Sequence, residues 1–208
     1  MAEAMQDTNN VGVAKGRPGG YAVVAPAGFD VSVFADMTKT LSDIVKANKQ
    51  VQPLGYISED GVEFSTDTSS EDKSEWGGTT IDSSLSSYAE SAAVTFLESR
   101  ESVLKTVYGD DNVTTDGATT TIRHNANFTD PHVFAFDAVI SSTKVKRSVI
   151  PVGRIFERDS VTENSSDLMG YKPTIKCMPY AGYDGDAYRD HIYDSTKAVP
   201  GGGESAGA

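Results

Sequence analysis

The chain has 208 residues, and 30 acids against 18 bases leave a formal charge of −12. That length holds one ordinary domain or two small ones, and the acid surplus argues against a protein that grips phosphate backbones or docks on anionic lipid. The single cysteine, Cys177, excludes an intrachain disulfide framework and a cysteine-based zinc site.

Residues 1–18 are polar and end in Gly16-Arg17-Pro18-Gly19-Gly20, which reads as a flexible arm. The start, MAEAMQDTNN, has neither the basic nor the apolar region of a secretory signal. No apolar stretch approaches the roughly 18 residues of a membrane helix. A soluble protein made in a cytoplasm is expected.

From residue 19 to 194 the dominant period is two, and a single β domain is expected. Tyr21-Ala22-Val23-Val24-Ala25 is the first strand, closed by Pro26. Residues 36–50 carry Met37, Leu41, Ile44 and Val45 at helical spacing. Asp60-Gly61 between alternating runs predicts a hairpin turn, with Val62, Phe64 and Thr66 on one face and Glu63, Ser65 and Asp67 on the other. Trp76, in Glu75-Trp76-Gly77-Gly78, reads as a core anchor.

Ile81, Ser83 and Leu85 hold odd positions, whereas Ala92, Val94 and Phe96 hold even ones. The inward face therefore changes parity near Ser86-Ser87, which implies a bulge. Residues 99–108 read as a helix capped by Ser99 and ended by Gly109, with Val103, Leu104, Val107 and Tyr108 on one stripe. Asp116-Gly117 marks a second hairpin. Further strands are expected at 132–140, 144–151, 154–161 and 167–178, the first apolar on both faces. Cys177 alternates with Met169, Tyr171 and Ile175 as a buried small hydrophobe. From 195 to 208 the chain is a Gly-rich tail without a large apolar residue after Val199. The sum is a mainly β protein: an antiparallel β-sandwich or barrel with one packed helix and a second short one.

The motifs of chemistry are missing from the sequence. His124, His132 and His191 are scattered, and no nucleophile elbow, phosphate loop or dinucleotide fingerprint occurs. Asp184, Asp186 and Asp190 lack the spacing of a calcium loop and read as turn carboxylates. No catalytic, cofactor or metal residue is assigned, and no enzyme is expected.

What remains is charge pattern. Glu59, Asp60, Glu63, Asp67, Glu71, Asp72 and Glu75 face only Lys73 between Ser58 and Trp76, a net of −6. Lys144, Lys146, Arg147, Arg154 and Arg158 face only Glu157 between Thr143 and Arg158, a net of +4. Poles of this kind suit either two solvated faces or head-to-tail association into rings and fibres.

In order, Leu54-Gly55-Tyr56-Ile57-Ser58-Glu59-Asp60-Gly61-Val62, Ser65-Thr66-Asp67, Trp76-Gly77-Gly78, Phe96-Leu97-Glu98-Ser99, Val107-Tyr108-Gly109-Asp110-Asp111-Asn112-Val113, Ile150-Pro151-Val152-Gly153 and Asp167-Leu168-Met169-Gly170-Tyr171 resemble the major tail tube protein of long, non-contractile-tailed bacteriophages, particularly those of actinobacterial hosts. The resemblance spans roughly residues 11–195. It implies a β-sandwich with a flanking helix that forms hexameric rings stacked into a tube. Its implied partners are other copies, a tape-measure protein, a tail-tip complex and a terminator protein, with passing DNA touched only non-specifically and no membrane. The implied location is the virion tail, with assembly in the host cytoplasm. Residues 30–52 are longer than the pattern, and the Gly-rich end has no counterpart in it. On this reading the 58–76 acids line the lumen or an interface, and the 143–158 bases join subunits or rings. The rival is a carbohydrate-binding or adhesin-type β-sandwich that stacks sugars on Tyr180, Tyr183, Tyr188 and Tyr193; a hydrolase stands third.

Overall fold

β8 (His132–Val139) is apolar on both faces because both are covered, and the architecture follows from it. In a computed structural model that describes residues 11–127 and 130–197, β8 lies near the centre of an antiparallel sheet. The other strands are β1 (Lys15–Gly16), β2 (Ala22–Pro26), β3 (Gln52–Pro53), β4 (Ile57–Ser74), β5 (Thr80–Phe96), β9 (Lys144–Arg158), β10 (Pro173–Cys177) and β11 (Arg189–Asp194), while β6 (Val113–Asp116) and β7 (Thr119–Ile122) form a separate hairpin. The order is β3-β2-β8-β9-β10-β5-β4, with β1 added to β8 and β11 to β9. β3 and β4 sit at opposite ends of that order yet are joined through Leu54, Gly55 and Tyr56 alone. The sheet must therefore roll back on itself, as the expected sandwich or barrel requires.

The inner face encloses Phe96, Phe134, Ile150, Ile155 and Ile175, and α2 (Glu101–Tyr108) seals it with Val103, Leu104 and Val107. Gly153 is required here, since a Cβ would lie 2.7 Å from the Phe134 ring and from the Ile175 side chain. The outer face of β2, β8 and β9 carries Val23, Val133, Ala135 and Val149 under Phe34, Leu41 and Ile44. That cover is a 3-10 turn (Val31–Phe34) followed by α1 (Leu41–Ala47), the core of the predicted 36–50 helix. Thr40 begins α1 with a reciprocal capping box to Asp43. The extra length of residues 30–52 is thus a covering layer.

One ion pair fastens that layer. Arg147 and Asp137 stand opposite each other on β9 and β8, and both side chains are fully buried. Arg147 donates from Nε and Nη2 to the two Asp137 oxygens at 2.6 and 2.9 Å, and to the carbonyls of Phe34, Asp36 and Lys39 at 3.1, 3.3 and 2.8 Å. Arg17 adds a bond to Asp137 at 3.1 Å, so the predicted flexible arm is pinned to β8 from Lys15 onward.

Several local expectations need correction. Asp60-Gly61 is a bulge and not a turn: Ile57 pairs with Phe96 and Val62 with Val94, so both flanks lie on one partner strand. Gly61 takes φ +73°, which a bulge demands as much as a hairpin does. The strand runs on to a turn at Glu75 to Thr79, where Glu75 N–H donates to the Thr79 carbonyl at 2.9 Å. Ser99 does not cap α2, because its hydroxyl pairs with Tyr171 at 2.9 Å and Arg100 holds the cap position. The strands expected at 144–151 and 154–161 are one strand, β9, and β11 is an addition. The parity change at Ser86-Ser87 is present: Ser69 pairs with Ser87 and Ser70 with Leu85, leaving Ser86 unopposed. Asp116-Gly117 is the second hairpin turn. The tail beyond Lys197 lies outside the described residues.

Replacing Arg147 by Met is expected to lower unfolding stability in urea by about 3–5 kcal/mol, because Asp137 stays buried with one partner fewer. Arg147→Lys should also destabilise, since three donors cannot serve five acceptor contacts. A second outcome concerns His191, on β11 opposite Arg147, whose Nε2 is buried without a partner. Burial and then the charges of Arg147 and Arg189 lower its pKa from 6.5, against a smaller opposing effect of Asp190. The folded state therefore prefers neutral His191, and its contribution is complete above about pH 6.5 and is lost as the pH falls below it. Urea midpoints from about pH 8 to about pH 5 should decline, and His191→Gln should flatten that decline.

Candidate assembly surface

Beyond Glu90 the β4 and β5 ladder leaves the body and continues as a two-stranded arm. Every residue from 65 to 88 is exposed. Such a ribbon is marginal in water without another surface against it. Alternation and the Ser86 bulge give it two unlike faces. Ile81, Leu85 and Tyr88 continue the inward face of Ala92, Val94 and Phe96, and are 70%, 64% and 59% exposed. At the tip Trp76 is fully solvated, so the expected core anchor is no part of this subunit's core. The Glu75 carboxyl is held below its ordinary range by backbone N–H groups of Gly77 and Thr79 and stays charged there.

The acids divide accordingly. Glu63, Asp67 and Glu71 lie on the face opposite the apolar stripe, Asp72 lies on the stripe side, and Glu75 is in the tip turn. Glu59 and Asp60 sit in the bulge at the base. Lys73 and Asp82 face each other with Nζ 3.9 Å from the carboxylate.

The bases do not form one open face. Arg147 is buried in the clasp, which removes it from the expected surface. Lys144 and Lys146 pair with Asp194 and Asp190 of β11 at 3.8 and 2.7 Å. Arg158 stacks over the Tyr108 ring, 4.9 Å from its centroid. Arg154 is half-buried opposite Lys176 of β10. Beside them Phe156, an extra residue where the β9 to β10 register shifts, is 47% exposed. A groove of about 240 Å³ separates this edge from the base of the arm.

Other marked side chains are structural. Cys177 is buried, and burial pushes its thiol up to about 12, so it offers no thiolate. His132 is buried between Asp110 and the Asp130 carbonyl. Arg189 holds Asp184 and Asp186, and no acidic, His or Cys cluster among the described residues is arranged to take a metal ion. Of the four tyrosines of the rival reading, Tyr183 is buried against Tyr180, Tyr188 stacks on Phe64, and Tyr193 is half-buried on β11. No described helix is long and apolar enough to cross a membrane.

A solvated apolar stripe on a two-stranded arm suits contact with protein. The sequence model of one family, described as phage tail tube protein, matches residues 4–188. The chain belongs to the phage tail tube protein family. No curated protein matches it closely. Membership makes the chain a structural, non-enzymatic protein of the virion tail that self-associates into a tube alongside other tail proteins. Sequence reasoning marked the arm's acids but missed its apolar face and tip. The available signal was the polar run from 65 to 91, in which a few isolated large residues have too little apolar company to make a core.

Proposed function

We propose that copies of this chain close into hexameric rings and stack into the tail tube of a long, non-contractile-tailed phage, the conduit for genome ejection. The arm carries the reading. Its apolar face and tip are covered by none of the described residues, and a second copy supplies what the isolated ribbon lacks. The tape-measure, tail-tip and terminator proteins are the proposed partners along and at the ends of the tube, with assembly in the host cytoplasm.

Glu63, Asp67 and Glu71 are proposed to line the lumen, because a face turned away from the apolar stripe is the one left wet after the stripe is covered. Like charge there repels phosphate and keeps passing DNA from sticking. Of the bases, Arg154 is proposed as a contact between copies, while Lys144, Lys146 and Arg158 support the surface through β11 and α2.

Negative-stain microscopy of the concentrated protein should show six-fold rings or tubes. A chain in which a short turn replaces 67–87 should keep its unfolding midpoint yet remain monomeric; monomers alone from the complete chain would refute the proposal. Tubes bearing Glu63→Lys, Asp67→Lys and Glu71→Lys should retain DNA that unaltered tubes release, and equal release from both places those acids elsewhere.

A further inference from the structure

None of the six side chains of β11 is buried, and among the described residues the strand pairs with β9 alone. We infer that β11 is exchanged between copies: on assembly it leaves its own β9 and pairs in the same register with β9 of the next copy. The inference rests on the tube reading and names a contact that joins its copies.

β10 and β11 both pair with β9, one beyond the other, and the contrast between them carries the inference. β10 has β9 on one side and β5 on the other, and it buries Pro173, Ile175 and Cys177. β11 is held by its ladder and by polar contacts. Lys146 Nζ lies 2.7 Å from the Asp190 carboxylate, Lys144 Nζ lies 3.8 Å from that of Asp194, and the Ser148 hydroxyl donates to Asp190 at 2.6 Å. Ile192, the large aliphatic side chain of the strand, is 63% exposed. Releasing such a strand uncovers little apolar surface, so it opens more readily than a core strand does. The contacts are also specific: two acids set against two bases fix one register, and β9 of every copy offers the same two bases.

The chain before β11 supplies a hinge. Tyr183 is buried, and after it Asp184 takes φ +57° and Gly185 φ +94° to fold the chain back. Left-handed backbone at Asp184 is a local strain that a straightened chain loses. The six steps from Tyr183 to Arg189 span about 20 Å when drawn out, which carries β11 beyond its own sheet edge. Straightening gives up the bonds of Arg189 to Asp184, Asp186 and the Tyr183 carbonyl, whereas the stack of Tyr188 on Phe64 is remade against the receiving copy. In a free subunit the short link keeps β11 at home. A neighbour held at a fixed distance raises its own effective concentration and removes that advantage. Each copy gives one strand and receives one, so the contact is heterologous and closes with a ring.

Tyr193 stands opposite Val145, in a hydrogen-bonded pair by its register with the bond from Ser195 N–H to the Thr143 carbonyl. Cα atoms of such pairs lie roughly 5.5 Å apart, within reach of a disulfide. Val145→Cys and Tyr193→Cys chains, mixed in equal amounts, assembled and then oxidised, should run as disulfide-linked pairs on a non-reducing gel. The same mixture oxidised as free subunits should stay unlinked. Cys177 does not interfere, because it is buried with its thiol pushed up to about 12. A chain carrying both cysteines, oxidised before assembly, has β11 tied at home and should assemble at least tenfold more slowly than its reduced form. Assembled mixtures without linked pairs overturn the inference when the double variant itself closes on oxidation. Equal assembly of the oxidised and reduced double variant overturns it too. A wild-type chain that forms neither rings nor tubes overturns the tube reading itself.

Discussion

The buried pair of Arg147 and Asp137 is the constraint on which the fold depends. Neither charge can be left alone in the interior, so each fixes the other and everything that hydrogen-bonds to either. Through five donors Arg147 holds β8 to β9 and draws the carbonyls of Phe34, Asp36 and Lys39 onto the sheet. Arg17 ties the entering chain to the same carboxylate. The layer at residues 31–47 also packs Val31, Phe34, Leu41 and Ile44 onto the sheet, and the charge-assisted clasp adds direction where that hydrophobic burial is non-directional.

With both faces of β8 covered, the rolled sheet is self-sufficient, and the rest of the chain is free to extend. β4 and β5 use that freedom. Their lower halves belong to the core, and their upper halves carry the same alternation into solvent. The Ser86 bulge keeps Leu85 and Ile81 on the face of Tyr88 and Ala92, so the apolar stripe passes unbroken from inside the subunit to outside it. A strand without the bulge would turn Leu85 and Ile81 onto the acidic side and mix the two faces.

Much of this was legible in the sequence, because periodicity is local. The two-sided apolar pattern of 132–140, the α2 stripe, the alternating faces of 62–67 and the parity change at Ser86 all came from neighbouring residues. What escaped depended on partners far along the chain. Asp60-Gly61 signals positive φ, and a bulge asks for it as a hairpin does; only the pairing of Ile57 and Val62 with β5 separates them. The charge of Lys144 and Lys146 was plain, but Asp190 and Asp194 that answer it arrive more than 40 residues later. For Trp76 the error has a different origin. Hydrophobicity says that an indole is to be buried and is silent on whether its own chain or another does the burying.

That ambiguity reflects the physics of an assembling subunit. The core and the assembly surface draw on the same residue types, and the difference lies in connectivity. A residue whose apolar neighbours are continuous through its own sheet is satisfied on folding; one carried beyond them on an arm is satisfied only on association. Division of the arm into an apolar and an acidic face then limits how association can proceed. Covering the stripe leaves Glu63, Asp67 and Glu71 together on one wet side, where mutual repulsion disfavours any packing that would bury them. The two faces thus oppose indiscriminate stacking of arms, and favour arrangements in which apolar surface is shared between copies while the charges remain in water.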